Sequence, residues 1–250
     1  MEIVGNEAMA SLSGKRVEEK VLELRRMVEE RYPTVYRKRI RNLEVEVSGI
    51  SGILGGNLPR CALSEIVTEM PSVGGQLVLL TLLQGAEKKR VYSVLVDGSD
   101  NFDPETAGEK LIRPLLWVRC GGVDEAMQAV DILARDSNFP LVILDLRWNA
   151  LWRLHRIADN FWYRLQRVVE RSGTTLVVFT PRPMVVSAEV RLKLRKGFRI
   201  ESCEVVRNTL VPLLEGEILR YRGRAGSESF IFSSEGRPEK EKIDEVFVAG

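Results

Sequence analysis

Ser64-Glu65-Ile66-Val67-Thr68, running straight into Glu69-Met70-Pro71-Ser72-Val73-Gly74-Gly75-Gln76-Leu77, is the stretch on which the fold turns. A short apolar strand enters a turn marked by Pro and paired Gly, and the turn opens a helix over Gly75–Ala86. The same alternation recurs outward along the chain. Strands are expected at Val91–Asp97, Leu115–Arg119, Leu141–Asp145 and Thr175–Thr180, with helices at Asp124–Arg135 and Trp148–Arg171 between them. The strands are β-branched or Leu-rich and nearly continuous in apolar character, as strands covered on both faces are. Strand and helix in alternation predict an α/β fold with a mostly parallel sheet flanked by helices.

Past Val185 the helical period fades. Glu189-Val190-Arg191-Leu192-Lys193-Leu194-Arg195-Lys196 alternates charged and apolar side chains, the pattern of a half-exposed strand. Short strands at Ile200–Val206, Glu217–Arg222 and Ser229–Phe232 would give a β-rich, antiparallel C-terminal end. Ahead of the core, Lys15–Tyr32 places Val17, Val21, Leu24, Met27 and Val28 at helical spacing, an amphipathic helix that Pro33 ends. The chain therefore divides into an N-terminal helix and basic linker (1–50), a core (51–233) and a polar tail (234–250).

Composition removes several classes of function. The chain has 250 residues, 44% of them apolar and 29% charged, enough for one sizeable core. Its net charge is only +2, so attraction to phosphate has to come from local patches. The three cysteines are far apart and odd in number, which gives no disulfide framework, and with a single histidine no zinc cluster is expected. Leu77–Leu83 is the longest apolar run, far short of the roughly 20 residues of a membrane helix. Met1–Glu7 does not read as a secretory signal, and the expected location is the cytoplasm.

Ligands of open parallel sheets gather beyond the C-terminal strand ends. The turn after Ser64–Thr68 sits where a phosphate-binding loop of the form G-x-x-x-x-G-K-[ST] would sit, with backbone N–H groups wrapping phosphate, Lys offsetting charge and a hydroxyl on Mg²⁺. Here the first glycine is missing after Gly74 is aligned with the second. Gly75 replaces the lysine, Gln76 replaces the hydroxyl residue, and Glu69 adds negative charge. Leu141–Asp145 has the form of the apolar strand whose terminal Asp holds Mg²⁺, although Asp145 could equally cap the following segment. Asp97, at the end of its own strand, is open to the same two readings.

Gly55-Gly56-Asn57-Leu58-Pro59-Arg60 leading into Ser64–Val67 resembles the approach to the ATPase core of the RecA recombinase family. Val94-Leu95-Val96-Asp97-Gly98-Ser99-Asp100-Asn101-Phe102-Asp103-Pro104 resembles that family's second-strand motif, with Asp97, Asp103 and Pro104 in register. The likeness continues through Leu116–Arg119 and Glu125–Val130 to Leu141–Asp145, and spans about Gly52 to Arg199. It implies a RecA-like fold. In that register Ser99 stands at the family's catalytic glutamate, and serine cannot take up the proton of an attacking water. Thr180-Pro181-Arg182-Pro183 replaces the sensor glutamine. With Gly74, Gly75, Gln76, Ser99 and Asp145 as positions of a degenerate nucleotide loop, the chain is expected to bind partners, to use no cofactor or metal, and not to act as an enzyme.

A catalytically degenerate chain of this size is similar to the ImuA group. That similarity implies an accessory role in damage-induced, SOS-type translesion synthesis, with an ImuB-like polymerase-related protein as partner and RecA, an error-prone polymerase and single-stranded DNA as further companions. Two alternatives stand beside it: a SulA-like division inhibitor binding FtsZ, and a divergent RecA-type DNA-dependent ATPase.

Candidate contact residues follow from charge and aromatic spacing. On the helix expected over Trp148–Arg171, Leu151, Leu154, Ala158, Phe161, Leu165 and Val168 form the core stripe. Arg153, Arg156, Arg164, Arg167 and Arg171 lie off it, interleaved with Trp148, Trp152, Trp162 and Tyr163, a mixture that suits bases, phosphates or protein hot spots. Period-two alternation puts Arg191, Lys193 and Arg195 on one face, with Arg199 beyond, as a second DNA- or partner-binding stripe. Arg37, Lys38 and Arg39 of the linker form a third patch. Val17, Val21, Leu24 and Val28 form a helix face for a partner or for the chain's own core.

Overall fold

The computed structural model describes residues 58–195, 197, 198, 207–222 and 231–232. The N-terminal helix with Val17, Val21, Leu24 and Val28, the linker Arg37–Arg39, Arg199, the strand expected at Ile200–Val206 and the tail 234–250 lie outside the described residues.

Five strands form the parallel core, β1 (Leu63–Val67), β2 (Ser93–Asp97), β3 (Leu115–Arg119), β4 (Leu141–Asp145) and β5 (Thr175–Thr180), all buried except β3, which lies at the sheet edge and is partly exposed rather than covered on both faces. Between them run α1 (Gly75–Lys88), the short turns α2 (Pro104–Ala107) and α3 (Glu109–Ile112), α4 (Val123–Leu133), α5 (Leu151–Leu154) and α6 (Asp159–Ser172). After β5 come β6 (Val190–Leu194), α7 (Arg207–Leu210), a 3₁₀ turn at Val211–Leu213, β7 (Gly216–Tyr221) and β8 (Ile231–Phe232). The sheet order is β3-β2-β4-β5-β1-β6-β7-β8, parallel through β6 and antiparallel for β6–β7 and β7–β8. This is the RecA-like α/β architecture, with the antiparallel end expected from the sequence.

Alternation along the strands divides the core between two faces. Ile66, Leu95, Ile143, Val177 and Phe179 pack with Leu79 and Leu83 of α1 on one face. Leu63, Val94, Val142, Leu144 and Val178 pack with Ala126, Val130, Trp162 and Leu165 on the other. Local chemistry sets the element ends. Asp103 caps α2 by accepting from Glu105 N at 3.0 Å, with Pro104 in the first turn, and Gly173 closes α6 at φ +80°.

One expected element is corrected. The single helix over Trp148–Arg171 is two helices, α5 and α6, separated where Ala158 is extended at φ −71°, ψ 142°. Turn bonds Ile157 N–H to Leu154 O and Phe161 N–H to Ala158 O, at 3.1 and 3.0 Å, recover part of the interrupted ladder. The break shifts the buried face. Trp162, Leu165, Val168 and Val169 are buried, Phe161 is only half-buried, and Leu151 and Ala158 are exposed. The indole of Trp162 is buried in this arrangement, at 1% exposure.

Candidate functional site

β1 delivers the chain to the loop 68–77 at the C-terminal edge of the sheet. Gly74 takes the left-handed conformation at φ +89° and begins α1 without a side-chain cap. A Cβ there would collide with Leu214 and come within 3.0 Å of Phe198, so glycine is needed for both conformation and space. Phe198 N–H donates to Ser72 O at 2.7 Å and fastens the loop to the chain beyond β6.

One side chain, Arg147, packs against this loop and ties it to β4. Arg147 donates from Nε to both Asp145 oxygens at 2.9 and 3.1 Å, from Nη2 to Asp145 Oδ2 at 2.5 Å and from Nη2 to Gln76 Oε1 at 3.0 Å. Its backbone N–H also reaches Asp145 Oδ1 at 3.1 Å, and the guanidinium lies 5.1 Å from the centre of the Phe179 ring. The two side chains are 9% and 6% exposed, so this is a buried ion pair. A Cβ on Gly75 would meet Arg147 Nη1 at 2.6 Å. Gly75 is therefore the residue that admits the arginine, and a lysine there would have to displace it.

The neighbouring carboxylate is also engaged. Asp97, opposite Asp145 in the β2–β4 register, accepts from the N–H groups of Ser99, Asn101 and Phe102 at 3.3, 3.2 and 2.8 Å and from Trp117 Nε1 at 3.4 Å. It shapes its own loop. The Ser99 hydroxyl is buried with no hydrogen-bond partner. Asn149 donates to Gly98 O at 2.7 Å, tying the β2 and β4 loops together. These residues do not fit a magnesium–nucleotide: the strand-end carboxylate Asp145 is given to Arg147, and Gly75 and Gln76 stand where a lysine and a hydroxyl would be needed.

The basic strand is brought together on one face and neutralised there. Arg191 pairs with Glu65, its direct neighbour across β1–β6, Lys193 Nζ lies 2.6 Å from Glu69 Oε2, and Arg195 pairs with Glu217 of β7. Glu65 is completely buried. It also accepts from Thr180 Oγ1 at 3.0 Å and from the N–H groups of Met184 and Val185 at 2.7 and 3.1 Å. The stripe expected to face DNA or a partner is thus a ladder of ion pairs across β1, β6 and β7.

The other cations stay at the surface. Arg153, Arg156, Arg164 and Arg167 are exposed. Arg153 stacks on Trp152 at 5.1 Å, and Arg164 stacks on Phe161 at 4.9 Å while approaching Asp131 at 3.6 Å. Trp148 and Trp152 are 56% and 62% exposed. Arg182 Nη1 lies 3.2 Å from His155 Nε2.

Sequence reasoning missed Arg147 and Glu65. Each had a signal: a guanidinium two residues after a strand-ending Asp, and a carboxylate inside an otherwise apolar strand, which demands a buried partner. Among the described residues no group of His, Cys, Asp and Glu could hold a metal ion, and no helix is long and apolar enough to cross a membrane.

Fold and site together define a RecA-like α/β protein in which Arg147 joins the strand-end Asp145 to Gln76 of the loop after β1. No family model matches this chain, and no curated protein does.

Proposed function

We propose that this protein is an interaction subunit on a RecA-like fold that does not turn over nucleotide, and that it works in damage-induced mutagenesis beside an ImuB-like, polymerase-related partner. The observation that carries the first half is Arg147, whose guanidinium takes both Asp145 oxygens and the Gln76 carbonyl in the place a lysine and a metal would need. The second half rests on the resemblance of Gly55–Arg60, Val94–Pro104 and Leu141–Asp145 to the RecA family in a chain with the ImuA group's catalytic losses. RecA, an error-prone polymerase and single-stranded DNA are the further companions of this reading.

Purified protein incubated with ATP and Mg²⁺, with and without single-stranded DNA, is expected to release no phosphate above the blank. Turnover stimulated by DNA and abolished by Asp145→Asn would make it a divergent ATPase instead. From damage-treated cells the tagged chain is expected to bring down an ImuB-like protein, and recovery of a tubulin-like division protein in its place would favour the SulA-like alternative.

A further inference from the structure

The loop 68–77 and Arg147 line one side of a cavity of about 540 Å³, and Trp148, Pro181, Phe198 and Leu210 complete its lining. Its size is that of a ligand or side-chain pocket. Met70 is 58% exposed and Trp148 56% exposed, and one helical turn further on Leu151 and Trp152 are exposed as well. Apolar side chains gathered around a cavity, unlike scattered ones, mark a contact surface.

The two segments that reach this cavity through Trp148 and Pro181 carry cations and no acid. Arg153, Arg156 and Arg182 are exposed, and residues 146–158 and 180–188 contain no aspartate or glutamate. Glu69, at the rim, is held by Lys193. Exposed Trp and Arg around a pit form the residue mixture of protein hot spots.

We infer that this cavity seats one large apolar side chain of an acidic segment of a partner protein, whose carboxylates lie on Arg156 and Arg182. The inference deepens the proposed function and rests on it for a site that binds a protein rather than a nucleotide. Nucleic acid fits less well. Successive bases need a row of open aromatic faces, and one of the two exposed tryptophans, Trp152, already carries Arg153 on its ring. The phosphate-tracking charge of Arg191, Lys193 and Arg195 is spent on carboxylates of this chain. A pit with apolar walls takes a side chain end-on, whereas a strand of bases needs a platform.

A random dodecapeptide library displayed on phage and selected against the full chain tests this. Enriched peptides are expected to carry an aromatic residue or leucine flanked by Asp and Glu. A synthetic copy of the best one, followed by fluorescence anisotropy, is expected to lose at least about tenfold in affinity with Trp148→Ala. Arg156→Glu and Arg182→Glu weaken it and flatten its salt dependence, while Arg113→Glu, on the distant α3 turn, changes nothing. All four positions are at least largely solvent-exposed, and circular dichroism verifies folding. Enrichment of neutral or basic peptides, no enrichment, or affinity indifferent to Trp148→Ala overturns the inference. So does a dT20 oligonucleotide that binds through the same residues and displaces the peptide, since the surface would then be one for nucleic acid. Failure of the peptide arm with ATP turnover still absent removes this inference alone and leaves the non-hydrolysing reading standing.

Discussion

Arg147 Nη2 lies 2.5 Å from Oδ2 of Asp145, two residues earlier in the chain, and both side chains are nearly inaccessible to water. Removing one partner strands the other charge. Arg147→Met is expected to lower unfolding stability by about 3–5 kcal/mol, and adding Asp145→Asn is expected to restore most of it. Urea titrations of the two single variants and the double variant check this. A loss below about 1 kcal/mol for Arg147→Met would mean that Asp145 gains no support from the arginine.

Glu65 presents the same physics in the middle of a strand. It is fully buried and accepts from Thr180, from the Met184 and Val185 N–H groups and from Arg191. Glu65→Ala is expected to cost about 3–5 kcal/mol, because Arg191 and two backbone donors lose their acceptor at once. Hydrogen exchange at the Met184 and Val185 amides is expected to accelerate in the variant. Unchanged protection there would remove Glu65 as the organiser of the turn after β5.

The break between α5 and α6 separates two tryptophans ten residues apart. Trp162 is 1% exposed and Trp152 62% exposed. Trp162→Ala is expected to cost about 3–5 kcal/mol in a thermal or urea melt. Trp152→Ala is expected to stay within about 0.5 kcal/mol of the parent. Similar losses for both would restore the continuous helix.

Cys120 supplies a pH signature. Burial pushes its thiol above the ordinary range, and the charges of Glu125 and Asp97 push the same way. Since the thiolate is the reacting species, iodoacetamide at pH 8 is expected to modify Cys120 far more slowly in the folded protein than in urea. The folded state holds this proton where the unfolded chain, with a thiol near pKa 8.5, has begun to release it. Stability therefore falls as pH rises through that range, and Cys120→Ala removes this part of the slope. Equal alkylation rates with and without urea would contradict the assignment.

The parallel strands were readable because each is an apolar run ended by a turn or a polar residue, as Leu141–Asp145 and Thr175–Thr180 are. Degeneracy of the loop was readable too, since the lysine and hydroxyl are simply absent at Gly75 and Gln76. What packs against the loop was not. The placement of Arg147 depends on a guanidinium folding back over Gly75, a three-dimensional fit that no spacing rule encodes. The helix phase failed for a related reason: Phe161 and Trp162 are adjacent and both apolar, so periodicity alone could not choose between them. On β6, alternation correctly put Arg191 and Lys193 on one face, but the carboxylates that neutralise them come from β1 and from the loop after it, more than a hundred residues away.

Strand β6 hydrogen-bonds parallel to β1 on one side and antiparallel to β7 on the other, and its cations reach carboxylates on both sides. The C-terminal end is consequently no detachable module. Cleaving the chain ahead of Val190 would turn β1, whose residues are all inaccessible, into a bare sheet margin with Glu65 stripped of its guanidinium. The minimal autonomous folding unit thus extends through β7, and a fragment cut at the end of the parallel strands would be a candidate for edge-to-edge aggregation rather than a smaller working protein.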